Sequence, residues 1–503
     1  MRIRLRQAAT HAALVALCLL LCTPVGSAAG ATAVRSDRYA AVDAFVQERM
    51  KVTRTPGISY AVVGPDGPVH QRSWGTDGHG ERVTADTPFL WGSVAKPVTT
   101  TSVMVLVQEG RLHLNDRVIE HLPDFRFGGA AHASEVTVRH LLNQTAGIPE
   151  SATLKVTDCL EADCPRPAER IGELDDVRPL GPPGAKYAYS SANYLILSAL
   201  VESVTGRPFA AYLRQSVLAP ARMDSAIADQ DSARDRGLPP GHQLLWGVPA
   251  PIAEGVDDHG AGYGYLGGDL HDLAAFAALQ LRYGRTEKGD TVLTPESVRL
   301  MRQEGRLRPG GAGTGYGLGW RVGGLAAPLG DAVWHTGGTP GYSAMVFLLP
   351  EQNIALVLQQ NLYGLLQDKA IMQVGFGAAG ILADGRTPTS NASASTYYWS
   401  VWGVTALAAV LVLTAGRSVL LLRRPAVLVT PLRRSVVAAL WCVVGALPWV
   451  VLVQVGARMG LGQLRNWVPD CFIVLCVAAA AGAATVVLRL VLAIRASARR
   501  AEG

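Results

Sequence analysis

The spacing of apolar residues near the start of the chain predicts a helix followed by two adjacent strands. Between residues 35 and 51, apolar side chains recur at intervals of three and four, which is the period of a helix with one buried face. Residues 57–64 and 69–74 have the pattern of strands, and Gly64-Pro65-Asp66-Gly67 between them is a strong turn signal. We expect the two strands to pair as a hairpin.

The middle of the chain has the spacing of helices, and its later part has that of short strands. Helices are predicted after Ser93, from residue 136, and over 194–204, 270–281 and 362–381, with short strands between residues 316 and 359. Strands at both ends with helices between them are typical of one α/β domain whose terminal strands share an antiparallel sheet.

Three longer apolar runs follow this domain, near residues 397–414, 435–455 and 471–492. Each is close to the ~20 residues that a bilayer span requires, so we predict three transmembrane helices. Helices buried in a protein core are the alternative. Arginines predict the orientation because they concentrate in the first loop and the tail, which positions those parts in the cytoplasm. They are Arg417, Arg423, Arg424, Arg433 and Arg434 in the loop, and Arg495, Arg499 and Arg500 in the tail.

The first 29 residues have the pattern of a secretory signal peptide. Three arginines precede a short apolar core, which ends in small residues. The signal and the arginine distribution both predict that the domain lies outside the cytoplasm, on an inner (cytoplasmic) membrane. The predicted organisation is a signal peptide (1–29), a hydrolase domain (30–386), a linker (387–396), three transmembrane helices (397–494) and a cytoplasmic tail (495–503).

Composition excludes several kinds of partner. The formal net charge is +6, but three positive charges belong to the signal segment and a net nine lie beyond residue 387, which leaves a domain of about −6. A mildly acidic domain argues against nucleic acid. The domain has two cysteines, Cys159 and Cys164, which share a loop and are placed to form a disulfide in an oxidising compartment. We expect no metal or cofactor, since no histidines accompany this pair.

The candidate chemistry centres on Ser93 and Lys96, at the start of a predicted helix. Residues three apart lie on one helix face, so the amine is near the hydroxyl that it would activate. Alone, Ser-x-x-Lys more often marks a capping serine and a surface lysine. However, this chain has six lysines, and Lys96 is the only one that follows a serine at this spacing. An amine at the head of an apolar helix in an arginine-rich chain indicates a function.

Two further motifs, in the same order and at similar spacing, make the chain resemble a known superfamily. With Tyr189-Ser190-Ser191 and His335-Thr336-Gly337, the Ser93/Lys96 pair resembles the serine β-lactamases and penicillin-binding proteins, above all their class C-type branch. Residues 138–149 also resemble a stretch that is frequent in that branch. The resemblance covers roughly residues 36–382. It implies an α/β, serine β-lactamase-like domain.

The resemblance also implies roles for individual residues. Ser93 would attack a carbonyl and form an acyl-enzyme, with Tyr189 as the base and Lys96 as the positive charge that lowers the pKa of Tyr189. The oxyanion would lie between the backbone N–H groups of Ser93 and Gly338, the residue after Gly337. His335 stands where many lactamases have a lysine that helps hold a substrate carboxylate.

The layout of the whole chain resembles a narrower group, that of the colibactin-maturation peptidase. This group removes an N-acyl-D-asparagine cap from exported nonribosomal peptide prodrugs, has a serine at the position of Ser191, and uses a histidine in a Gly-rich region to hold the D-Asn side chain. His259 is our candidate for that histidine, and a structural loop histidine is an equal alternative. The expected partners are a peptide or acyl-peptide substrate and the lipid bilayer; contact with an exporter stays open.

The first hypothesis is therefore a membrane-anchored, outward-facing serine peptidase that matures such a prodrug. A cell-wall D,D-peptidase or esterase on the same fold is a related alternative. A slowly acylating penicillin-binding sensor is an alternative of another class, although the small cytoplasmic parts leave little to signal with.

Overall fold

The centre of the domain is an antiparallel sheet whose seven strands come from both ends of the chain, as the sequence predicts. The computed structural model describes residues 26–161, 163–307, 314–386, 394–424 and 430–501. The strands are β1 (Gly57–Gly64), β2 (Gly67–Gly75), β3 (Phe89–Leu90), β4 (Gly241–Leu245), β5 (Val248–Ala253), β6 (Gly267–Gly268), β7 (Thr314–Tyr316), β8 (Arg321–Gly323), β9 (Val333–Thr339), β10 (Tyr342–Leu349) and β11 (Ile354–Gln360). The large sheet has the order β2-β1-β11-β10-β9-β8-β7, and the pairs β3/β6 and β4/β5 form two small sheets.

Helices occupy the chain between these strands and most of the chain after them. They are α1 (Gly26–Thr53), α2 (Ala95–Gln108), α3 (Val118–His121), α4 (Gly129–Ala133), α5 (Val138–Leu142), α6 (Thr153–Val156), α7 (Pro167–Arg170), α8 (Ala192–Thr205), α9 (Phe209–Leu213), α10 (Gln230–Asp235), α11 (Leu270–Leu281), α12 (Pro295–Leu307), α13 (Asp368–Asp384), α14 (Ser395–Leu422), α15 (Pro431–Met459), α16 (Leu461–Trp467) and α17 (Pro469–Ala501). The predicted signal segment up to residue 25, the linker over 387–393 and the last two residues of the predicted tail lie outside the described residues.

The sheet is buried on both faces because alternate side chains of each strand point to opposite sides. In β1, Tyr60 and Val62 belong to one apolar cluster, whereas Ala61 and Val63 belong to another. Helices α1 and α13 pack together on the first side, which we call the outer face. Helices α2, α8 and α11 contribute to the cluster on the second side, the inner face, where the predicted catalytic residues lie.

Most predicted elements are present, and the differences have local causes. The helix expected from residue 362 starts as a 3₁₀ turn, Leu365–Gln367, and becomes α-helical at Asp368. The helix expected from residue 136 is the short α5, capped by the Thr137 side chain, which accepts a hydrogen bond from the backbone N–H of His140. Helix α16 was not predicted, because seven residues between two apolar runs have no detectable period.

Three helices, α14, α15 and α17, are long and apolar enough to cross a membrane. Helices α15 and α17 approach closely where Gly445 faces Gly482, since a Cβ on either glycine would overlap the backbone of the other. The opposite end of the bundle from the domain carries arginines: Arg495 donates a hydrogen bond to the carbonyl of Leu422, at the end of α14. Tyr397, at the start of α14, instead packs into the outer-face cluster.

Two glycines of α13 test how tightly the outer face is packed. A Cβ on Gly375 would overlap Met345 of β10, whereas a Cβ on Gly380 would meet nothing within 4 Å. Replacing glycine by alanine within a helix gains about 1 kcal/mol, but overpacking a core costs about 1–3 kcal/mol. We therefore expect Gly375→Ala to lower the free energy of unfolding and Gly380→Ala to leave it unchanged or raise it. Urea titration of the full-length protein in detergent measures both, and equal changes would contradict the packing.

Candidate active site

Ser93 lies in a 3₁₀ turn, Gly92–Val94, that leads directly into α2. The short strand β3 delivers the chain to this turn, and its partner β6 holds it from the other side. The backbone N–H of Trp91 donates to the carbonyl of Leu266 at 2.9 Å, and the Trp91 indole donates to Gln359 at 2.9 Å. The nucleophile is thus fixed to both the small and the large sheet.

Glycines let the last site motif lie directly against this turn. Gly92 has a φ of +55°, and a Cβ there would overlap the backbone nitrogen of Gly338. A Cβ on Gly337 would overlap the backbone around Ser93. Strand β9 therefore carries Gly337 and Gly338 into backbone contact with the Ser93 turn, a distance that only residues without side chains allow.

Lys96 is fully buried and points at Ser93. Its Nζ donates to Ser93 Oγ at 2.9 Å, to Ser191 Oγ at 3.0 Å and to the carbonyl of Tyr263 at 2.7 Å. Burial lowers the pKa of Lys96 well below its usual value, and the positive Arg321 lowers it further, while Asp158 raises it. A buried amine with a lowered pKa is able to act as a base near neutral pH.

The structure brings Ser191 and Tyr189 to the same amine. Ser191 sits before α8, and its backbone N–H donates to Thr153 Oγ1 at 3.1 Å. The Tyr189 ring centre lies 5.1 Å from Lys96 Nζ. These contacts assemble residues that are about 95 positions apart in the sequence.

The expected effect of Lys96 on Tyr189 is not what the structure shows. Burial raises the pKa of Tyr189 to about 12, and the main opposing positive charge comes from Arg321, followed by a hydrogen bond to Ser93. Burial therefore opposes the predicted lowering of the Tyr189 pKa. A phenol that keeps its proton is a hydrogen-bond donor, so Lys96 is the better candidate for the base.

Arg321, which the sequence did not single out, supplies the positive charge at this site. Its guanidinium lies 5.2 Å from the ring centre of Tyr189, 5.7 Å from that of Tyr316 and 5.3 Å from that of Trp334. It forms no ion pair with any carboxylate in the described part of the chain. A half-buried cation surrounded by aromatic rings favours the binding of an anionic group.

His335 is buried beside Arg321 and carries no positive charge. Its Nε2 lies 3.2 Å from the hydroxyl of Tyr316, and its Nδ1 lies 2.7 Å from the carbonyl of Thr336. Burial, then Arg321 and Lys96, lowers the pKa of His335 well below its usual value. A neutral His335 therefore does not replace the lysine of related motifs as a cation, and the positively charged group beside it is Arg321.

His259 lies in the stretch that also contains Asp257 and Tyr263. Only its backbone N–H has a partner, Asp257 Oδ1 at 3.1 Å, and no hydrogen bond or ring contact of its imidazole occurs among the described residues. The same Gly- and Tyr-rich stretch contributes Tyr263, whose carbonyl binds Lys96. This stretch therefore contacts the site through Tyr263, and the role of His259 stays a prediction.

Behind Lys96 lies a buried charged cluster. Arg170 donates two hydrogen bonds to Asp257, at 2.9 and 2.8 Å, and Tyr263 donates its hydroxyl hydrogen to the same carboxylate. The neighbouring loop contains the disulfide Cys159–Cys164, which the structure forms. No group of three or more His, Cys, Asp or Glu side chains suited to a metal ion occurs within the described residues.

Comparison with known proteins agrees with this geometry. The family model described as Beta-lactamase matches residues 42–373. Penicillin-binding protein 4 of Amycolatopsis lactamdurans is 33% identical over 311 residues, covering 59% of this chain and 77% of that protein.

Solved structures show the same fold. The octameric penicillin-binding protein homologue from Pyrococcus abyssi has a TM-score of 0.59 at 23% identity, covering 73% of this chain and 81% of that one. The D-stereospecific amidohydrolase from Streptomyces sp. has a TM-score of 0.52 at 22% identity, covering 66% and 98%.

These matches confirm the broad resemblance, whereas the narrower colibactin-maturation group stays a prediction. The family model spans well over half of the chain, and it includes the Ser93 turn, Lys96 and strand β9. The chain therefore belongs to the beta-lactamase family, whose members such as penicillin-binding proteins and amidohydrolases are serine hydrolases.

Proposed function

We propose that this protein is a membrane-anchored serine amidohydrolase that cleaves the amide bond after an N-acyl-D-amino acid through an acyl-enzyme on Ser93. The observation that carries the proposal is the fully buried amine of Lys96, 2.9 Å from Ser93 Oγ. Serine is a weak nucleophile until a base takes its proton, and this amine is close enough to do so.

The hydrogen-bond partners of Lys96 indicate how the proton of Ser93 is transferred in the acylation step. A neutral amine has two hydrogens, which it donates to Ser191 Oγ and the carbonyl of Tyr263, and one lone pair, which faces Ser93. As Ser93 Oγ attacks the carbonyl carbon of the substrate, its proton moves to Lys96. The resulting oxyanion is stabilised by the backbone N–H groups of Ser93 and Gly338.

Tyr189 takes part as a neutral phenol. Its hydroxyl lies beside Ser93, and Arg321 stands over its ring. When the tetrahedral intermediate breaks down, the C–N bond breaks, and the leaving nitrogen takes the proton held by Lys96, passed through Tyr189. Water then attacks the acyl-enzyme with the same groups in the reverse order, which releases the acid and restores Ser93.

The acyl part of the proposed substrate is an N-acyl-D-asparagine-like cap of an exported peptide prodrug. This choice rests on the resemblance in layout and on Ser191, and the Streptomyces structure is named as D-stereospecific, which is compatible with it. In this proposal Ser191, His335 and Gly337 form the substrate-binding surface around Ser93. His259 is proposed to contact the side chain of the cap.

A cell-wall D,D-peptidase is the second candidate, and Arg321 favours it. An arginine with no carboxylate partner in the described site suits a substrate with a free carboxylate on the leaving side. The relative from Amycolatopsis lactamdurans is named as a penicillin-binding protein. Both candidates cleave the bond after a D-residue. They differ in whether the leaving group has a free carboxylate.

We also propose that the domain lies on the extracytoplasmic side of a cytoplasmic membrane. The start of α14 and the α16–α17 junction contact the domain, whereas Arg423 and Arg424 lie at the other end of the bundle, at the end of α14. This arrangement agrees with positive residues in the cytoplasm.

A substrate panel tests the function. We expect the full-length protein in detergent to cleave an N-acyl-D-asparaginyl amide at least tenfold faster than its L-isomer, with no cleavage by Ser93→Ala. Preference for an acyl-D-Ala-D-Ala peptide, or rapid fluorescent-penicillin labelling without D-Asn cleavage, would favour the D,D-peptidase; labelling without any turnover would favour the sensor. L-selective cleavage contradicts the proposal.

Arg321→Gln separates the two candidates further. If Arg321 binds a leaving-group carboxylate, the variant raises KM about tenfold or more for a peptide with a free C-terminus. The same peptide with an amidated C-terminus serves as the control, and its KM stays near that of the wild type. An equal rise in KM for both peptides would show that Arg321 supports the geometry of the active site and does not bind the leaving-group carboxylate.

Lys96→Arg tests whether Lys96 acts as a base or only as a positive charge. Arginine keeps the charge but does not lose its proton, so we expect acylation to fall by about 10²–10⁴-fold, as in Lys96→Met. In the wild type the rate rises with pH as Lys96 loses its proton, and this rise occurs below the usual lysine range because burial lowers that pKa. Burst kinetics with p-nitrophenyl acetate measure both. Activity retained in Lys96→Arg but lost in Lys96→Met means that the charge is what matters.

The proposed orientation is tested with single cysteines. In a background without the cysteines outside the disulfide, we expect an impermeant maleimide to label Asp124→Cys, at a fully exposed position, in intact spheroplasts. Arg424→Cys is expected to react only after the membrane is permeabilised. The opposite labelling pattern would reverse the proposed topology.

A further inference from the structure

The short helix α16, between the second and third long helices, packs against the loop behind the active site. The Trp467 indole donates a hydrogen bond to Asp158 Oδ2 at 3.0 Å, across 309 residues of sequence. Gln463 Nε2 donates to the carbonyl of Thr157 at 3.0 Å. Trp467 is buried, so these bonds are shielded from water.

The loop that α16 holds is connected to Lys96. The backbone N–H of Asp158 donates to the hydroxyl of Tyr263 at 2.6 Å, and the carbonyl of Tyr263 accepts from Lys96 Nζ at 2.7 Å. Tyr263 also donates its hydroxyl hydrogen to Asp257. The position of the residue that orients Lys96 therefore depends on Asp158.

The same loop supports Ser191. Thr157 Oγ1 donates to the carbonyl of Thr153 at 2.9 Å, and Thr153 Oγ1 accepts from the backbone N–H of Ser191 at 3.1 Å. Gln463 is bonded to this loop at Thr157. Two of the three partners of the Lys96 amine, Ser191 and Tyr263, are thus held by one segment, which α16 holds in turn.

A second connection reaches the strand beside the nucleophile. The rings of Trp467 and Tyr363 meet edge to face, with centroids 6.1 Å apart. The Tyr363 ring fills the space over Gly338, where a Cβ would overlap it. Trp467 therefore contacts Asp158 through its N–H and, through its ring, Tyr363 next to Gly338.

We propose that Trp467 is a positioning residue for the active site, holding through Asp158 the loop that orients Lys96, so that the segment between the long helices completes the catalytic domain. This inference rests on the proposed role of Lys96 as the base. Trp467 touches neither Ser93 nor Lys96 and acts through the residues between them.

The Asp158 carboxylate makes this role measurable. It is buried, with only 8% of its surface exposed, and a buried carboxylate needs donors to stay charged. Burial raises the pKa of Asp158 to about 6, and the hydrogen bond from Trp467 opposes that rise. The charged groups that face Lys96 are Arg321 and Asp158; the titratable groups that face Asp158 are Asp257, Arg170, Tyr263 and Tyr265.

The sign of the effect follows from these charges. Without the indole N–H, the pKa of Asp158 rises, so less negative charge remains near pH 7. Because Asp158 raises the pKa of Lys96, that pKa then falls. The acid limb of the acylation rate moves to lower pH, and the weaker base lowers the plateau.

Trp467→Phe tests the proposal, because phenylalanine keeps a ring against Tyr363 and removes only the N–H. We expect the acid limb of the p-nitrophenyl acetate burst to move to lower pH and the plateau rate to fall about ten- to a hundredfold. The matched control is Trp246→Phe. This variant loses an indole hydrogen bond to Thr405 of α14 (2.9 Å), which also joins the domain to the long helices but does not involve Asp158. An acid limb unchanged in Trp467→Phe, or shifted equally in Trp246→Phe, overturns the proposal.

Asp158→Asn provides the second variant, since it removes the charge and keeps an acceptor for Trp467. It is expected to shift the acid limb in the same direction, and adding Trp467→Phe is expected to shift it no further. An additive shift means that Trp467 does not act through Asp158. Full activity of Lys96→Arg in the same assay would overturn the base assignment itself, independently of Trp467, so the two failures are distinguishable.

Discussion

The site depends on the burial of one amine. Lys96 is enclosed completely, yet a carbonyl and two hydroxyls surround it where a permanently charged lysine would need a carboxylate. Removing water disfavours the charged form, and Arg321 disfavours it further. The chain thus maintains a lysine whose neutral form is accessible, and the arrangement of α2, α8 and the Tyr263 turn excludes water from its amine, 2.9 Å from Ser93 Oγ.

A close backbone contact lies on the other side of the nucleophile's turn. Strand β9 approaches the Ser93 turn at Gly92, Gly337 and Gly338, and side chains at these positions would hold the two apart. The strand is fixed by its pairing with β10, where Gly337 lies opposite Ala344. The sheet therefore determines where β9 lies, and the glycines determine how near the nucleophile it comes. The two effects place backbone N–H groups beside Ser93 without any side chain in between.

Element bounds and motif residues could be predicted, because both depend on local sequence patterns. Helix α11 and strand β1 have the expected bounds, and Ser93, Lys96, Tyr189 and Ser191 meet in space as their motifs predict. Local patterns do not encode contacts between distant segments. Arg321 has no motif, and the partnership of Asp158 with Trp467 joins segments 309 residues apart.

The protonation of the site was unpredictable for the same reason. The pKa of Tyr189 follows from its burial and from the distance to Arg321, and neither quantity can be obtained from spacing along the chain. Lys96 lies beside Tyr189 as predicted, and its own burial lowers its pKa, which is the reason that we propose it as the base. Motifs identify which residues meet; their charge states depend on what encloses them.

The two faces of the sheet explain why the long helices belong to the same structural unit. The inner face encloses the site, and the outer-face cluster includes Tyr397, Val401 and Trp467 from the segments after the linker. Tyr397 also donates to Asp470 and accepts from the backbone N–H of Gly247, which joins α14, α17 and the β4–β5 turn. A domain cut at the linker would expose this apolar surface and lose the donor to Asp158. The helices are therefore part of the packing that holds the catalytic residues in place, in addition to any role as an anchor.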